Sequence, residues 1–116
     1  MADSKIFSYL EDIKGEPTAH LSGLKKVFLG NMDTHSQITQ FAYGEFRPGE
    51  ICPSHKHDTM YECFYFIEGN GQYIVGEEVV DLKPGTFLSI PPLTVHELKN
   101  NSQETLKFVY FGVATD

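Results

Sequence analysis

Glycine and proline recur along this chain at intervals that leave room only for short strands. The groups Arg47-Pro48-Gly49-Glu50, Glu68-Gly69-Asn70-Gly71, Gly76-Glu77-Glu78, Lys83-Pro84-Gly85 and Pro91-Pro92 punctuate its second half. Proline removes a ladder donor and glycine tolerates positive φ, so each group turns or ends an extended run. The runs between them, 24–29, 37–46, 61–67, 72–75, 79–82, 86–90, 95–99 and 105–113, are rich in aromatic and β-branched residues. No segment between them is long enough for the helix of a parallel crossover. The pattern predicts an all-β sandwich or barrel with antiparallel pairing.

Length and charge narrow the function. A chain of 116 residues is the size of one domain. With 41% apolar and 13% aromatic residues, it can bury a core. The formal net charge is −7, and Arg47 is the only arginine. Nucleic acid and anionic membranes require clustered basic residues, so neither is expected as a partner. The best basic pair, Lys25-Lys26, reads as a solvated strand edge. No charged start followed by an apolar run opens the chain, so no secretory leader is expected. Cys52 and Cys63, the only cysteines, are expected to be reduced thiols, consistent with cytoplasmic residence. Residues 1–20 are expected to form an arm or a short helix, with Ser4 as a cap, packed on a barrel of residues 21–116.

The chemistry concentrates in the histidines. His55 and His57 form an HxH unit, which in a strand would present both imidazoles on one face. Two neighbouring histidines are a weak signal alone. Glu62 follows five positions later, an odd step that reverses the face of an unbroken strand. The turn-compatible residues Asp58 and Thr59 can reset that register, which would place Glu62 beside the histidines. Phe64 and Phe66 would then share its face as an apolar wall and are candidate substrate-pocket residues. His96, after Pro91-Pro92, gains significance only in company.

Gly49, His55, His57, Glu62 and Gly69 match, in spacing and identity, the first motif of the cupin superfamily. Gly85, Pro91, His96 and Asn100 match the second, after an inter-motif stretch of 15 residues, and the chain resembles the compact single-domain members. Leu93 stands where the family usually has glycine, and Thr86 where it often has aspartate. Leucine avoids positive φ, so the turn before His96 is expected to differ, with Pro92 available to build it. The resemblance implies a double-stranded β-helix, a jelly-roll barrel of two antiparallel sheets often paired as a homodimer. It also implies that His55, His57, Glu62 and His96 ligate one divalent transition metal. Fe, Mn, Ni, Co, Cu and Zn all suit such a donor set, whereas Mg²⁺ and Ca²⁺ prefer oxygen alone.

Cupins with this ligand set include dioxygenases, isomerases, lyases and decarboxylases. The resemblance therefore implies an enzyme acting on a small oxygenated molecule, most plausibly by dioxygenation or isomerisation, without naming a catalytic base. The alternative is a non-catalytic barrel that binds or senses a small ligand around a structural metal. Among the remaining residues, His20 and His35 read as surface histidines and Asn100 as a turn or strand-end group. Strand alternation turns Cys52 and Cys63 away from the ligands. Tyr43, Tyr61, Tyr65 and Tyr73 read as sheet packing.

Overall fold

The protein is described by a computed structural model that covers residues 6–18 and 22–116. Ser4 and His20 lie outside the described residues. The fold is all-β. Among the described residues ten strands run in chain order: β1 Glu16–Pro17, β2 Leu24–Leu29, β3 Ile38–Phe46, β4 Ile51–His55, β5 Met60–Glu68, β6 Gly71–Val75, β7 Glu78–Leu82, β8 Phe87–Ile90, β9 His96–Lys99 and β10 Leu106–Ala114. They form two antiparallel sheets, ordered β1-β2-β3-β10-β5-β8 and β4-β9-β6-β7. Before β1 there is one 3-10 turn, Leu10–Asp12. No helix among the described residues is long and apolar enough to cross a membrane.

Register fixes which side chains face the interior, because residues directly opposed across a ladder share a face. In the six-stranded sheet, Lys25, Gly44, Phe108 and Phe66 form one inward row. Ala42, Tyr110, Phe64 and Leu88 form the next, and Gln40, Gly112, Glu62 and Ile90 the last. The four-stranded sheet answers with Cys52, Leu98, Tyr73 and Val80 in one row, and His55, His96 and Val75 in another. The two polar rows therefore lie at the same end of the sandwich, and the aromatic rows fill the middle. The rings of Phe66 and Phe108 are 5.1 Å apart, as are those of Phe64 and Tyr73. Such offset or edge contacts add to the area they bury.

The turns follow the glycines. Gly69 has φ +91°, and a Cβ there would lie 2.5 Å from the carbonyl oxygen of Thr105. This position therefore requires glycine for both backbone conformation and space. Asn100 is 1% exposed and does more than end a strand. Its Nδ2 donates to the carbonyls of Phe46 and Glu104, each at 2.8 Å, and its Oδ1 accepts from the Ser102 backbone N–H and hydroxyl. One side chain thus ties the ends of β3 and β9 to the loop before β10.

Two local expectations are corrected. Within the N-terminal arm, Glu16 pairs with Lys25 and Pro17 with Leu24. Lys25 is consequently half-buried on a strand paired on both sides, rather than a solvated edge residue. Leu93 adopts the left-handed conformation, with φ +68°, so the turn keeps the geometry that glycine would favour despite its Cβ. The Leu93 N–H donates to the His57 carbonyl at 2.7 Å, a bond that helps hold this conformation.

Candidate metal centre

Four side chains from three strands and one loop meet at the polar end of the sandwich. His55 ends β4 and pairs in register with His96, the first residue of β9. Glu62 lies on β5, and His57 lies in the β4–β5 connection. The HxH unit is thus not carried by one continuous strand, as its spacing suggested. The β4–β9 ladder shifts register between Cys52 and His55, and Pro53 within it has no N–H to donate. The chain turns at Asp58-Thr59, which returns Glu62 to the interior as the sequence requires.

One ligand atom from each of His55, His57, Glu62 and His96 lies within 4.8 Å of every other. Donors on opposite sides of a single ion, at bond lengths near 2.0–2.2 Å, would stand about 4–4.4 Å apart, so the group is already close to the required size. Glu62 Oε1 is 3.4 Å from His57 Nε2 and 3.3 Å from His96 Nε2. The tautomers are set by the backbone. His55 Nδ1 is 2.8 Å from the Pro53 carbonyl oxygen, and His96 Nδ1 is 2.8 Å from that of Thr94. A carbonyl only accepts, so both Nδ1 atoms carry a proton, which leaves Nε2 of each ring as the atom that can bind an ion. In both residues the partner is the carbonyl two positions upstream, a local arrangement that orients a ligand.

His96 Nε2 is the diagnostic atom. Its side chain is 1% exposed, and Nε2 is buried without a hydrogen-bond partner among the described residues. An unmet buried acceptor costs about 1–3 kcal/mol. Nε2 lies 3.3 Å from Glu62 Oε1 without hydrogen-bond geometry, and an ion held by both atoms would satisfy each of them. The donor set, the tautomers and this atom all fit a metal ion, which the four residues could hold together.

A cavity of about 190 Å³ adjoins the cluster. His55, His57 and Glu62 form one end, Phe64, Tyr73, Phe108 and Tyr110 the apolar walls, and Thr18, Lys25 and Gln40 a polar side. Phe64 lines the space as the sequence suggests. Phe66 is fully buried in the core behind it and is not a lining residue. Burial, followed by the nearby Glu62 carboxylate, pushes the phenols of Tyr73 and Tyr110 well above their ordinary value. Both remain neutral hydroxyls beside the cluster.

Cys52 also lines the cavity, with Sγ 3.8 Å from His55 Nδ1. Simple alternation placed it on the other face; the register shift after it returns both residues to one side. Burial, with smaller contributions from Glu62 and Glu97, raises its thiol to about 12, so it is protonated at neutral pH. Cys63 does turn away, its Sγ lying 3.9 Å from the Ser89 hydroxyl. Tyr61 and Tyr65 are exposed, Tyr43 is buried, and His35 is exposed. Tyr110, Lys25 and Gln40 were not identified from the sequence. The alternation Leu106, Phe108, Tyr110 carried a signal for the first, whereas the other two depend on which strand lies beside which.

The family model for the cupin domain, Cupin_2, matches residues 42–112. An uncharacterized protein of Methanocaldococcus jannaschii is 36% identical over 55 residues, which is 47% of this chain and 44% of that protein. The match thus spans less than half of that relative's length. Among solved structures, a predicted oxalate decarboxylase of Thermotoga maritima has TM-score 0.87 at 19% identity, covering 94% of this chain and 99% of that one. The polyketide cyclase RemF of Streptomyces resistomycificus has TM-score 0.77 at 17% identity, covering 97% and 80%. These two similarities establish a shared fold.

Proposed function

The chain belongs to the cupin domain family, and we propose that within it the protein is a metal-dependent enzyme acting on a small oxygenated molecule, by dioxygenation or isomerisation. The observation that carries this reading is the buried, unpartnered His96 Nε2, 3.3 Å from a Glu62 carboxylate that lines a cavity. A purely structural ion would need no adjoining space; an ion that meets a substrate does. His55, His57, Glu62 and His96 would hold one divalent transition metal. When bound, such an ion supplies Lewis-acid polarisation of substrate oxygens and, if redox-active, electron-transfer capacity.

The protein's own groups do the rest. Phe64 and Phe108 exclude water from one side of the substrate. Tyr73 and Tyr110, held protonated, present hydroxyls that can donate hydrogen bonds to a substrate oxygen. Glu62, committed to the ion, is not free to act as a base. The oxalate decarboxylase and polyketide cyclase descriptions belong to proteins of the same fold with different chemistries, so the reaction must come from the site. The proposal includes a small-molecule substrate and residence in the cytoplasm. It also includes assembly as a homodimer, for which the exposed, register-paired Tyr65 and Phe87 on the outer sheet face offer apolar surface.

The test is oxygen uptake by the Fe²⁺-loaded protein over a panel of diols, enediols, thiols and small hydroxy acids, with product analysis alongside. Substrate-dependent uptake marks an oxygenase, and isomeric product without uptake marks an isomerase. Metal-loaded protein that transforms none of the panel and binds none of it would overturn the enzyme reading.

A further inference from the structure

Among the described residues, Lys25 is the only lysine or arginine that lines the cavity. Its position is set by the fold. It pairs with Gly44, whose Cβ, if present, would lie 2.5 Å from the Phe108 ring, so both residues face the interior. Its Nζ lies 3.4 Å from the Gln40 Oε1, and Gln40 lines the same cavity. Among the described residues no carboxylate forms an ion pair with it. Glu16, its partner across the β1–β2 ladder, is exposed and is the nearest acidic residue in register. A half-buried ammonium with one long amide contact retains donors for a ligand. Lys26, next in sequence, points elsewhere: its Nζ donates to the Leu10 carbonyl at 3.1 Å and it does not line the cavity.

Resting on the metal reading above, we infer that Lys25 is a specificity-determining residue that anchors a carboxylate, so that the substrates are small carboxylic acids bearing a second oxygen function. A divalent ion and Lys25, offset by Glu62 and by Glu16, whose charge reaches the cavity-lining Tyr110, still leave the occupied cavity with net positive charge, which favours an anion. A charge-assisted hydrogen bond from Lys25 to one carboxylate oxygen would leave the molecule's other oxygens directed at the histidine cluster. The cavity of about 190 Å³ has room for a small acid between Lys25 and the histidines. Tyr73 and Tyr110 remain available to the second oxygen function.

The test compares L-lactate with propane-1,2-diol, which share a carbon skeleton and differ by the carboxylate. Binding is followed by the visible spectrum of the Co²⁺-loaded full-length protein, with metal content measured on each sample. Lys25→Gln is expected to weaken lactate binding by about 10-fold or more, the loss of one hydrogen bond between charged groups. It should leave the diol affinity and the cobalt content unchanged. Lys25→Arg should retain most of the lactate affinity. Lys26→Gln, which removes the same charge from outside the cavity, should change nothing. Equal lactate affinity in wild type and Lys25→Gln would overturn the inference, as would an equal loss for lactate and diol, which would mark a packing effect. Cobalt-loaded wild type that binds no lactate overturns it while leaving the metal site standing. Failure of wild type to retain cobalt would instead overturn the metal reading beneath it.

Discussion

Leu93 allows a test of backbone reasoning at the edge of the metal site. Its φ of +68° is a conformation in which a Cβ crowds the following carbonyl, at a cost of about 1–2 kcal/mol. Its side chain is 64% exposed, so Leu93→Gly and Leu93→Ala lose the same modest packing. They differ in that alanine keeps the Cβ strain, whereas glycine gives the unfolded chain about 0.5–1 kcal/mol of additional freedom. The net expectation is that Leu93→Gly is more stable than Leu93→Ala by about 0.5–1 kcal/mol, or roughly 2–5 °C in Tm for a domain of this size. In an ordinary strand or helix the order is reversed, so the sign alone is diagnostic. Calorimetry and urea titration of the two variants decide it. Alanine equal to or better than glycine would refute the strained turn. The Leu93 N–H that holds the His57 carbonyl is kept in both variants, so their metal content should match wild type.

Two further outcomes follow from the same geometry. Asn100→Ala removes four hydrogen bonds at a fully buried position and leaves the Phe46 carbonyl without its side-chain donor; a loss of about 2–4 kcal/mol is expected in urea denaturation. Glu50 is drawn below its ordinary value of 4.5: burial opposes the shift, but donation from the Arg47 backbone and guanidinium and the Gly23 N–H outweighs it. A carboxyl held below its unfolded value contributes stability above that value and loses it as pH falls through 4.5 and below. Glu50→Gln should therefore cost about 1 kcal/mol at neutral pH, and the difference from wild type should shrink steadily below pH 4.5; a constant difference across that range would contradict the assignment.

The strands were legible because their ends are chemically explicit. Gly69 and Gly85 sit at positive φ where the turns demand it, and in the aromatic run before Gly69 the buried Phe64 and Phe66 alternate with the exposed Tyr65 and Ile67. Glu62 could be placed because its odd spacing from His57 required a turn and turn residues were present. The sequence was less informative wherever a ladder departs from regular pairing. Cys52 reaches the cavity only because register shifts before His55, and His57 reaches the cluster from a loop. Lys25 was hidden because its face depends on the two-residue strand β1 and on Gly44, a partner 19 positions away. Leu93 defied its own preference because a tertiary hydrogen bond to His57 accompanies a turn whose local cost is small beside the stability of a whole domain.

The central claim is that His55, His57, Glu62 and His96 together hold one ion. Elemental analysis of protein purified from its native host, beside His55→Ala, His57→Ala, Glu62→Ala and His96→Ala prepared identically, tests it most directly. The account predicts close to one divalent transition ion per chain in the wild type and loss of most of it in each variant, with His96→Ala also removing the buried, unpartnered Nε2. Wild-type protein that takes up none of Fe²⁺, Co²⁺, Ni²⁺, Mn²⁺, Cu²⁺ or Zn²⁺, or variants that keep the full complement, would contradict it.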